Sequence, residues 1–297
     1  MAVKTYTPAD LSTAELHQLM LTAVAPRPIA FASTISKDGL VNLSPFSFFN
    51  VFSSNPPIMI FSPARRVRDN TTKHTLENVH EVPEVVINIV NYQMVEQMSL
   101  ASTEYAKGVN EFEKAGFTQV ESINIKPPRV GEAPVAFECK VNEVIALGSQ
   151  GGAGNLVISE VVAVHVNKDY INEIGKLDTQ KLDLVARLGG SWYARIIDDA
   201  LFEIPKPIAT KGIGVNKLPD HALKSNILTK NNLGRLGNFE SVPSQKEIEQ
   251  FINNENLTSL KAENNPQIRI KRQHQIAKKF LENGDVQSAI YTLFFTG

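Results

Sequence analysis

The stretch that decides the fold is RPIAFASTISKDGLVNLSPFSFFN, which runs from Arg27 to Asn50. Its centre, Lys37-Asp38-Gly39, is a turn signal, because Gly accepts a positive φ and Asp tolerates one. The runs on either side alternate bulky and small residues, and side chains alternate between the two faces of a strand. The stretch therefore predicts a β-hairpin with one bulky apolar face and one face of small, weakly polar residues.

The small face of this hairpin needs an explanation. Ala30, Ala32, Thr34 and Ser36 share it, and none of the long polar side chains typical of solvent-exposed strands precedes the turn. Small residues let a flat molecule approach the N–H and C=O groups of the backbone. We interpret the face as ligand-facing, with packing against another element of the fold as the alternative.

Composition predicts an ordinary globular protein. The chain has 297 residues, of which 42% are hydrophobic and 21% charged, and its net charge is −1. A net charge near zero does not indicate nucleic-acid binding. No stretch approaches the roughly 18 consecutive apolar residues that a membrane-spanning helix needs. A single cysteine, Cys139, excludes an intrachain disulfide and favours a cytoplasmic location. The six histidines lack ligand spacing, so we expect no metal site.

Strand-like runs rich in Val, Ile and Phe dominate the first 200 residues. Several strands at short spacing predict a barrel or a sandwich, with short helices at 11–22, from Asn70 onward, at 92–101 and at 110–116. The last run, NLVISEVVAVHVN, is apolar on both faces and should be buried on both, against a core or across a subunit interface. The predicted strands are 28–36, 40–44, 47–53, 58–62, 84–91, 134–147 and 155–167.

The character of the sequence changes near residue 200. Residues 1–200 carry 17 Lys+Arg against 22 Asp+Glu, whereas residues 201–297 carry 13 against 9. Strand patterns fade there, and an irregular segment, PKPIATKGIGVNKLP, precedes helices predicted at 244–254, 267–283 and 286–295. We therefore predict two domains, 1–200 and a mostly helical extension at 201–297 whose role the pattern does not indicate.

A basic turn follows the predicted strand PPIMIF. Its sequence, SPARRVRDNTTKHT, also opens the helix predicted from Asn70. Cations, hydroxyls and free N–H groups at the start of a helix together favour phosphate binding, with a solvated basic loop as the alternative. The cations are Arg65, Arg66, Arg68 and Lys73, and the hydroxyls belong to Ser62, Thr71, Thr72 and Thr75.

The two features together describe a site for a mononucleotide. A small-residue face admits a flat ring, and a basic turn one strand later admits a phosphate. The glycine motifs G-x-G-x-x-G and G-x-x-x-x-G-K-[ST] are both absent, so a Rossmann or P-loop scaffold is not indicated. A β-rich scaffold that binds a phosphorylated flat ring favours a flavin, most simply FMN.

The hairpin and the segments after it resemble the flavin reductase-like family of FMN-binding split β-barrels. The shared features are the arginine-proline start, the S-T-x-x-x-x-G-x-x-N-x-[SA]-P-[FY]-S hairpin and the P-P strand. The resemblance continues through KHTLEN and VNEFEKAGFT to RLGGSWYARI and covers roughly residues 20–200. It implies a mainly β fold with α additions: an FMN-binding split β-barrel followed by a helical C-terminal extension.

This resemblance also assigns residues by position. His74 stands where the family often has Asp, and Arg65 and Arg66 are additional cations. Ser33, Thr34 and Ile35 would lie along the flavin ring and ribityl chain. The polar edge of the ring would contact Asn42, Leu43, Ser44, Pro45, Phe46 and Ser47. The phosphate would contact Ser62, Arg68, Lys73 and Thr75.

The function implied by the resemblance is an NAD(P)H-dependent flavin reductase. Hydride would pass from NADH or NADPH to FMN, and this chemistry needs no protein nucleophile. His165 is a candidate contact to the nicotinamide or substrate; the alternative is a hydrogen-bonded structural histidine. The resemblance further implies a homodimer with flavin sites near the subunit interface, and its subgroup supplies flavin to a monooxygenase partner.

Two other functions stay open at this point. One is a non-catalytic FMN-binding protein for storage, sensing or scaffolding, whose C-terminal helices contact a partner. The other is a related split barrel that uses another phosphorylated cofactor, such as pyridoxal phosphate.

Overall fold

Two compact units make up the chain, Met1–Phe202 and Glu203–Gly297. The computed structural model describes residues 2–204, 211–255 and 257–296. Residues 205–210, which begin the predicted irregular segment, lie outside the described residues. In the described residues all β-strands belong to the first unit, and the second unit is helical.

An antiparallel seven-stranded sheet organises the first unit, with the strand order β2-β1-β5-β8-β9-β4-β3. Each of the seven predicted strand runs coincides with one of these strands. The short pairs β6–β7 and β10–β11 form two-stranded ribbons. The strands are β1 (Ala30–Ile35), β2 (Val41–Phe46), β3 (Phe49–Ser54), β4 (Pro57–Phe61), β5 (Glu84–Ile89), β6 (Gln119–Val120), β7 (Arg129–Val130), β8 (Val135–Ala146), β9 (Asn155–Val166), β10 (Val185–Arg187) and β11 (Tyr193–Arg195).

Helices flank the sheet and build the second unit. The first begins where the sequence predicts, because Ser12 and Glu15 form a reciprocal capping box at its start. The helices are α1 (Thr13–Ala23), α2 (His74–Glu81), α3 (Val95–Leu100), α4 (Glu111–Ala115), α5 (Thr179–Leu182), α6 (Asp220–Leu223), α7 (Lys230–Gly237), α8 (Gln245–Asn254), α9 (Thr258–Lys261), α10 (Pro266–Glu282) and α11 (Val286–Phe294).

The start of α2 corrects a prediction. Asn70 does not cap this helix, because its backbone adopts a left-handed conformation with φ 57°. Lys73 is the N-terminal flanking residue, and no side chain caps the helix there. The segment between Asn70 and Lys73 is an irregular loop, so the basic turn is longer than the sequence pattern indicates.

The hairpin that opens the sheet forms as predicted. Strands β1 and β2 pair in register from Ala30 opposite Phe46 to Ile35 opposite Val41. Gly39 occupies the turn with φ 84°, a conformation that favours glycine. The bulky face packs into a core that contains Phe31 and Leu43, both completely buried.

The β1 part of the hairpin's small face packs against α2, which is the alternative of packing against another element. The β2 part of the same face, Asn42 and Ser44, lines a cavity. Ala30 and Ala32 are completely buried in the core that also contains residues of α2. Thr34 is completely buried as well, and its hydroxyl accepts a hydrogen bond from the Asn78 amide over 3.1 Å. Small residues are needed there because the helix lies close to the sheet.

Strand β9 is less buried than its apolar sequence predicts. Its first half buries alternate residues, including Val157 and Ser159. Its second half leaves Val162 39% and Val164 53% exposed in the single chain. Burial on both faces is therefore not achieved within one chain, and burial across a subunit interface stays a prediction.

The second unit has a hydrophobic core of its own. Leu233 and Leu236 of α7 pack with Leu281 of α10 and Ile290 of α11. The predicted helices at 244–254, 267–283 and 286–295 correspond to α8, α10 and α11. Among the described residues, no helix combines the length and the apolar character needed to cross a membrane.

A chain of hydrogen bonds crosses this second unit. The Ser225 hydroxyl lies 2.9 Å from His274 Nδ1, and His274 Nε2 lies 3.0 Å from His221 Nδ1. His221 Nε2 in turn lies 3.1 Å from the Leu293 carbonyl oxygen. Burial and the neighbouring His221 lower the pKa of His274 to about 4. Burial also lowers the pKa of His221, so both rings are neutral at pH 7.

Candidate functional site

A cavity forms where strand β2 meets the basic turn before α2. Asn42 and Ser44 line it from β2, and Lys73 and Thr75 line it from the turn and the start of α2. These four are predicted site residues from two separate segments, and the fold brings them together. The other lining residues are Arg66, His74, Ser102, Thr103, Glu104, Tyr105 and Glu111.

Lys73 is a cation of this cavity whose ammonium group is unpaired among the described residues. It is half-buried, and its ammonium group forms no hydrogen bond with any residue that the structure describes. Burial lowers the pKa of Lys73, and Arg66 lowers it further, while Glu104 acts in the opposite direction. An anion in the cavity would relieve both the desolvation and the repulsion.

The three arginines of the turn are bound within the protein. Arg65 donates to the side-chain oxygen and the carbonyl of Asn70 over 2.7 and 2.6 Å. Arg66 pairs with Glu104 over 3.0 Å. Arg68 pairs with the other oxygen of Glu104 and is 69% exposed. The predicted contact of Arg68 with a phosphate would require competition with this carboxylate, and it stays a prediction.

One backbone N–H group of β2 that points away from the sheet is already bonded to a buried carboxylate. Glu111 accepts a hydrogen bond from the Leu43 N–H over 3.0 Å. Burial raises the pKa of Glu111, and hydrogen bonds from backbone N–H groups act against this rise. Successive N–H groups of a strand point to opposite sides, and the next outward position is Pro45, which has none. Neither Leu43 nor Pro45 therefore offers a free outward N–H group to a ligand.

A second cavity continues the predicted ring-binding segment. Pro45 and Ser47 line this space of about 250 Å³, together with Arg187 and Tyr193. Ser102 lines both this cavity and the one that contains Lys73. Pro45 and Ser47, predicted for the ring edge, thus line a cavity that adjoins the one of Lys73 and Thr75, predicted for the phosphate.

The two cavities differ in size. The cavity at Lys73 measures about 20 Å³, and roughly 10–15 Å³ of such volume holds one water-sized group. The lining of this cavity suits an anion such as a phosphate, because it combines hydroxyl groups with a lysine that has no hydrogen-bond partner among the described residues. The adjoining cavity at Pro45 and Ser47, with about 250 Å³, is large enough for a bigger part of a ligand than the cavity at Lys73 can hold.

Other predicted site residues present little or no side-chain surface. Ser33, Thr34 and Leu43 are completely buried, and Phe46 belongs to the core beneath α2. Direct side-chain contacts from these residues to a ligand are not supported by the structure. Ile35 is partly buried, and Ser62 is buried at the end of β4.

His165 forms a structural hydrogen bond. Its Nε2 lies 2.6 Å from Glu138, whose side chain is completely buried. Glu138 also accepts hydrogen bonds from the N–H groups of Ile123 and Asn124, both over 2.7 Å. This geometry favours the structural alternative for His165, and a contact to nicotinamide stays a prediction.

Other chemistries find little support in the part of the chain that the structure describes. Those residues contain no group of three or more His, Cys, Asp or Glu side chains arranged to hold a metal ion. Cys139 is completely buried, and burial together with Glu138 raises the pKa of its thiol to about 12. Such a thiol is a packing residue and a poor nucleophile.

The sequence did not reveal two acidic residues of the site. Glu111 forms a hydrogen bond with Leu43, which is 68 residues away in the sequence. Glu104 forms one with Arg66, which is 38 residues away. No local pattern encodes contacts of such separation. Asn110 caps the start of α4, and this could be predicted from the sequence. The cap does not indicate which residue the side chain of Glu111 contacts.

Fold and site together define a class of protein. An antiparallel sheet with a lysine-containing cavity beside its edge strand β2 is suited to bind the anionic group of a ligand. A family model described as "Flavin reductase like domain" matches residues 22–178. The chain therefore belongs to the flavin reductase-like family, as its resemblance to that family implies.

Individual proteins are also similar to this chain in sequence and in structure. An uncharacterized protein of Aquifex aeolicus is 37% identical over 189 residues, which are 64% of this chain and 94% of that protein. Nitrilotriacetate monooxygenase component B from Bacillus cereus has a similar structure, with a TM-score of 0.64 and 29% identity over 69% of this chain and all of that one.

The predicted fold class is confirmed by a further solved structure. A protein of Shewanella frigidimarina with a split barrel domain gives a TM-score of 0.56 and 28% identity, over 67% of this chain and 95% of that one. The mainly antiparallel fold of the first unit thus corresponds to a split barrel. This chain is longer than all three of these proteins.

Proposed function

We propose that this protein binds FMN and transfers hydride to it from NADH or NADPH. The observation that carries the proposal is Lys73, a half-buried cation without an anionic partner among the described residues, in a cavity with Asn42, Ser44 and Thr75. A phosphate would supply the missing negative charge.

The residues of this chain would hold the cofactor in two parts. Lys73 and Thr75 would bind the phosphate, with Arg68 as an additional cation. The segment from Asn42 to Ser47 would lie against the ring. Bound FMN would supply the redox chemistry, because its ring accepts a hydride from a nicotinamide. The protein would exclude water from the two rings and orient them.

The assembly belongs to the same proposal. We infer that the functional form is a homodimer, because Val162 and Val164 of the central sheet remain exposed in a single chain. Such a dimer would place part of each site near the subunit interface. The similarity to a component of nitrilotriacetate monooxygenase supports a monooxygenase as the acceptor of reduced flavin.

Steady-state kinetics with purified protein test the proposal. NADH or NADPH oxidation, followed at 340 nm, should depend on added FMN and saturate with it. Tight FMN binding with negligible oxidation would instead favour a flavin-binding protein without turnover. Absence of FMN binding would refute the site assignment as well.

A further inference from the structure

The cavity at Pro45 and Ser47 has features that the proposed flavin site does not use. It measures about 250 Å³, and Pro45, Ile29 and Met98 give it an apolar wall. Arg187 lines it as well, and none of the residues that the structure describes in its lining is acidic. The cavity therefore combines an apolar surface with a positive charge that its own lining does not neutralise.

The guanidinium group of Arg187 has one edge available to a ligand. Its Nη1 donates a hydrogen bond to the Trp192 carbonyl over 3.0 Å, and its Cζ lies 4.5 Å from the centre of the Tyr193 ring. Its Nε and Nη2 donate to no residue in the described part of the chain, and no carboxylate there pairs with it. Because two neighbouring N–H groups of a guanidinium can bind both oxygens of a carboxylate, this edge suits that group.

Arg27 adds a second positive charge beside this cavity. Its backbone pairs with the backbone of Arg187 through two hydrogen bonds, of 3.0 and 2.8 Å. Its side chain is buried, and every acceptor that it has among the described residues is uncharged. Burial lowers the pKa of Arg27, and the neighbouring Arg187 lowers it further. An anion in the cavity would offset the repulsion between the two guanidinium groups.

The hydroxyl of Ser47 connects Arg27 to the cavity. It accepts a hydrogen bond from Arg27 Nε over 3.4 Å, and Ser47 also lines the cavity. A hydroxyl group that accepts in this way keeps its own hydrogen for another acceptor. Ser47 is therefore a second donor, besides Arg187, for an oxygen atom of a ligand.

The size and the wall of the cavity restrict the kind of ligand. Pockets for drug-sized molecules measure roughly 300–1,000 Å³, so about 250 Å³ suits a ligand with a single ring. The side chains of Ile29 and Met98 favour a flat apolar group, since apolar surfaces gain free energy when they are buried together. An inorganic anion would leave this apolar wall without a contact.

We propose that this cavity binds a small planar organic acid, whose carboxylate pairs with Arg187 and whose ring packs against Ile29 and Met98. The inference rests on the proposed function, because the cavity lies beside the segment proposed to contact the FMN ring. It gives the chemical class of a ligand, besides the nicotinamide, for that site. A neutral ring of the same size lacks the charge that Arg187 complements.

Calorimetric titration of the FMN-loaded full chain with benzoate at pH 7 tests this inference. Benzamide has the same ring without the charge, and it should bind about tenfold more weakly than benzoate. Arg187→Gln should raise the Kd for benzoate about 10- to 100-fold, the loss expected for a charge-assisted pair. Arg187→Lys keeps the charge but not the two adjacent donors, and it should raise this Kd about tenfold.

Arg195→Gln is the matched control. It removes an arginine from the neighbouring strand β11 that pairs with Asp183 over 2.7 Å and does not line the cavity. It should change the Kd for benzoate less than about twofold. Equal binding of benzoate and benzamide overturns the inference, and so does an unchanged Kd for benzoate in Arg187→Gln.

The same titrations separate this inference from the proposed function. If the unaltered protein binds FMN but not benzoate, the inference fails and the proposed function stands. If the unaltered protein does not bind FMN, the proposed function fails and the inference fails with it.

Discussion

The side-chain amide of Asn42 donates a hydrogen bond to the hydroxyl of Thr75 over 2.9 Å. Both residues are buried, and the bond joins strand β2 to the first turn of α2. It holds together two segments separated by 33 positions, one predicted to contact a ring and the other a phosphate. The candidate site depends on this junction, because Lys73 lies directly beside it.

Lys73→Ala should weaken FMN binding about 10- to 100-fold, the range expected for loss of a charge-assisted hydrogen bond. Riboflavin, which lacks the phosphate, should lose less than about twofold. Fluorescence titration with both flavins measures the difference. Lys107→Ala is the control, since this lysine pairs with Glu77 on the surface. Equal losses for FMN and riboflavin would refute the phosphate assignment.

Thr34→Val tests the packing of the β1 part of the hairpin's small face against α2. The substitution keeps the side-chain shape and leaves the buried amide of Asn78 without its acceptor. We expect a loss of about 1–2 kcal/mol in the free energy of unfolding, measured by urea denaturation. FMN affinity of the folded protein should stay the same. A variant of full stability that no longer binds FMN would restore the ligand-facing interpretation.

His165→Ala separates the two roles considered for this histidine. Glu138 has three hydrogen-bond partners, and removing the His165 ring leaves only the two backbone N–H groups of Ile123 and Asn124. The free energy of unfolding should fall by about 1–3 kcal/mol. The KM for NADH or NADPH should change less than about twofold. A raised KM together with unchanged stability would identify His165 as a nicotinamide contact.

The stability of the second unit should depend on pH through His274. Its pKa of about 4 in the folded protein is below that of an unfolded histidine, near 6.5, because burial and His221 oppose its protonation. The unfolded state therefore binds more protons below pH 6.5. The stabilisation should be complete above that value and lost as the pH falls toward 4, by on the order of 2–3 kcal/mol.

Thermal unfolding of the full chain at pH 7 and pH 5 tests this dependence. The wild-type protein should lose more stability than His274→Gln, which cannot take up the proton. The mechanism is refuted if both proteins lose the same amount.

Much of the fold could be predicted from the sequence, because turns, helix caps and strand patterns depend on residues that are close together in the chain. The turn at Gly39 and the capping box of Ser12 and Glu15 are encoded within a few residues. The seven strands follow from alternation and β-branched composition. The short helices α6 and α7 were missed because neither has a long amphipathic pattern. Asn70 was misjudged as a cap because a left-handed residue and an N-cap favour the same side chain.

The candidate site could be predicted only in part. Lys73 and Thr75 stand out by residue type, and Asn42 by its place after the turn. The pairing of Glu104 with Arg66, and of Glu111 with the Leu43 N–H, depends on contacts between distant segments. Alternation alone also could not distinguish a face covered by α2 from one that meets a ligand, since both require small residues.

The most direct test of the proposed function is anaerobic reduction of the FMN-loaded protein. NADH and NADPH are mixed with it separately, and the visible absorbance of the flavin is followed by stopped flow. We predict rapid bleaching by at least one of the two, at a rate that saturates with nicotinamide concentration. An oxidised flavin spectrum that persists under both would contradict hydride transfer from a nicotinamide to the bound FMN.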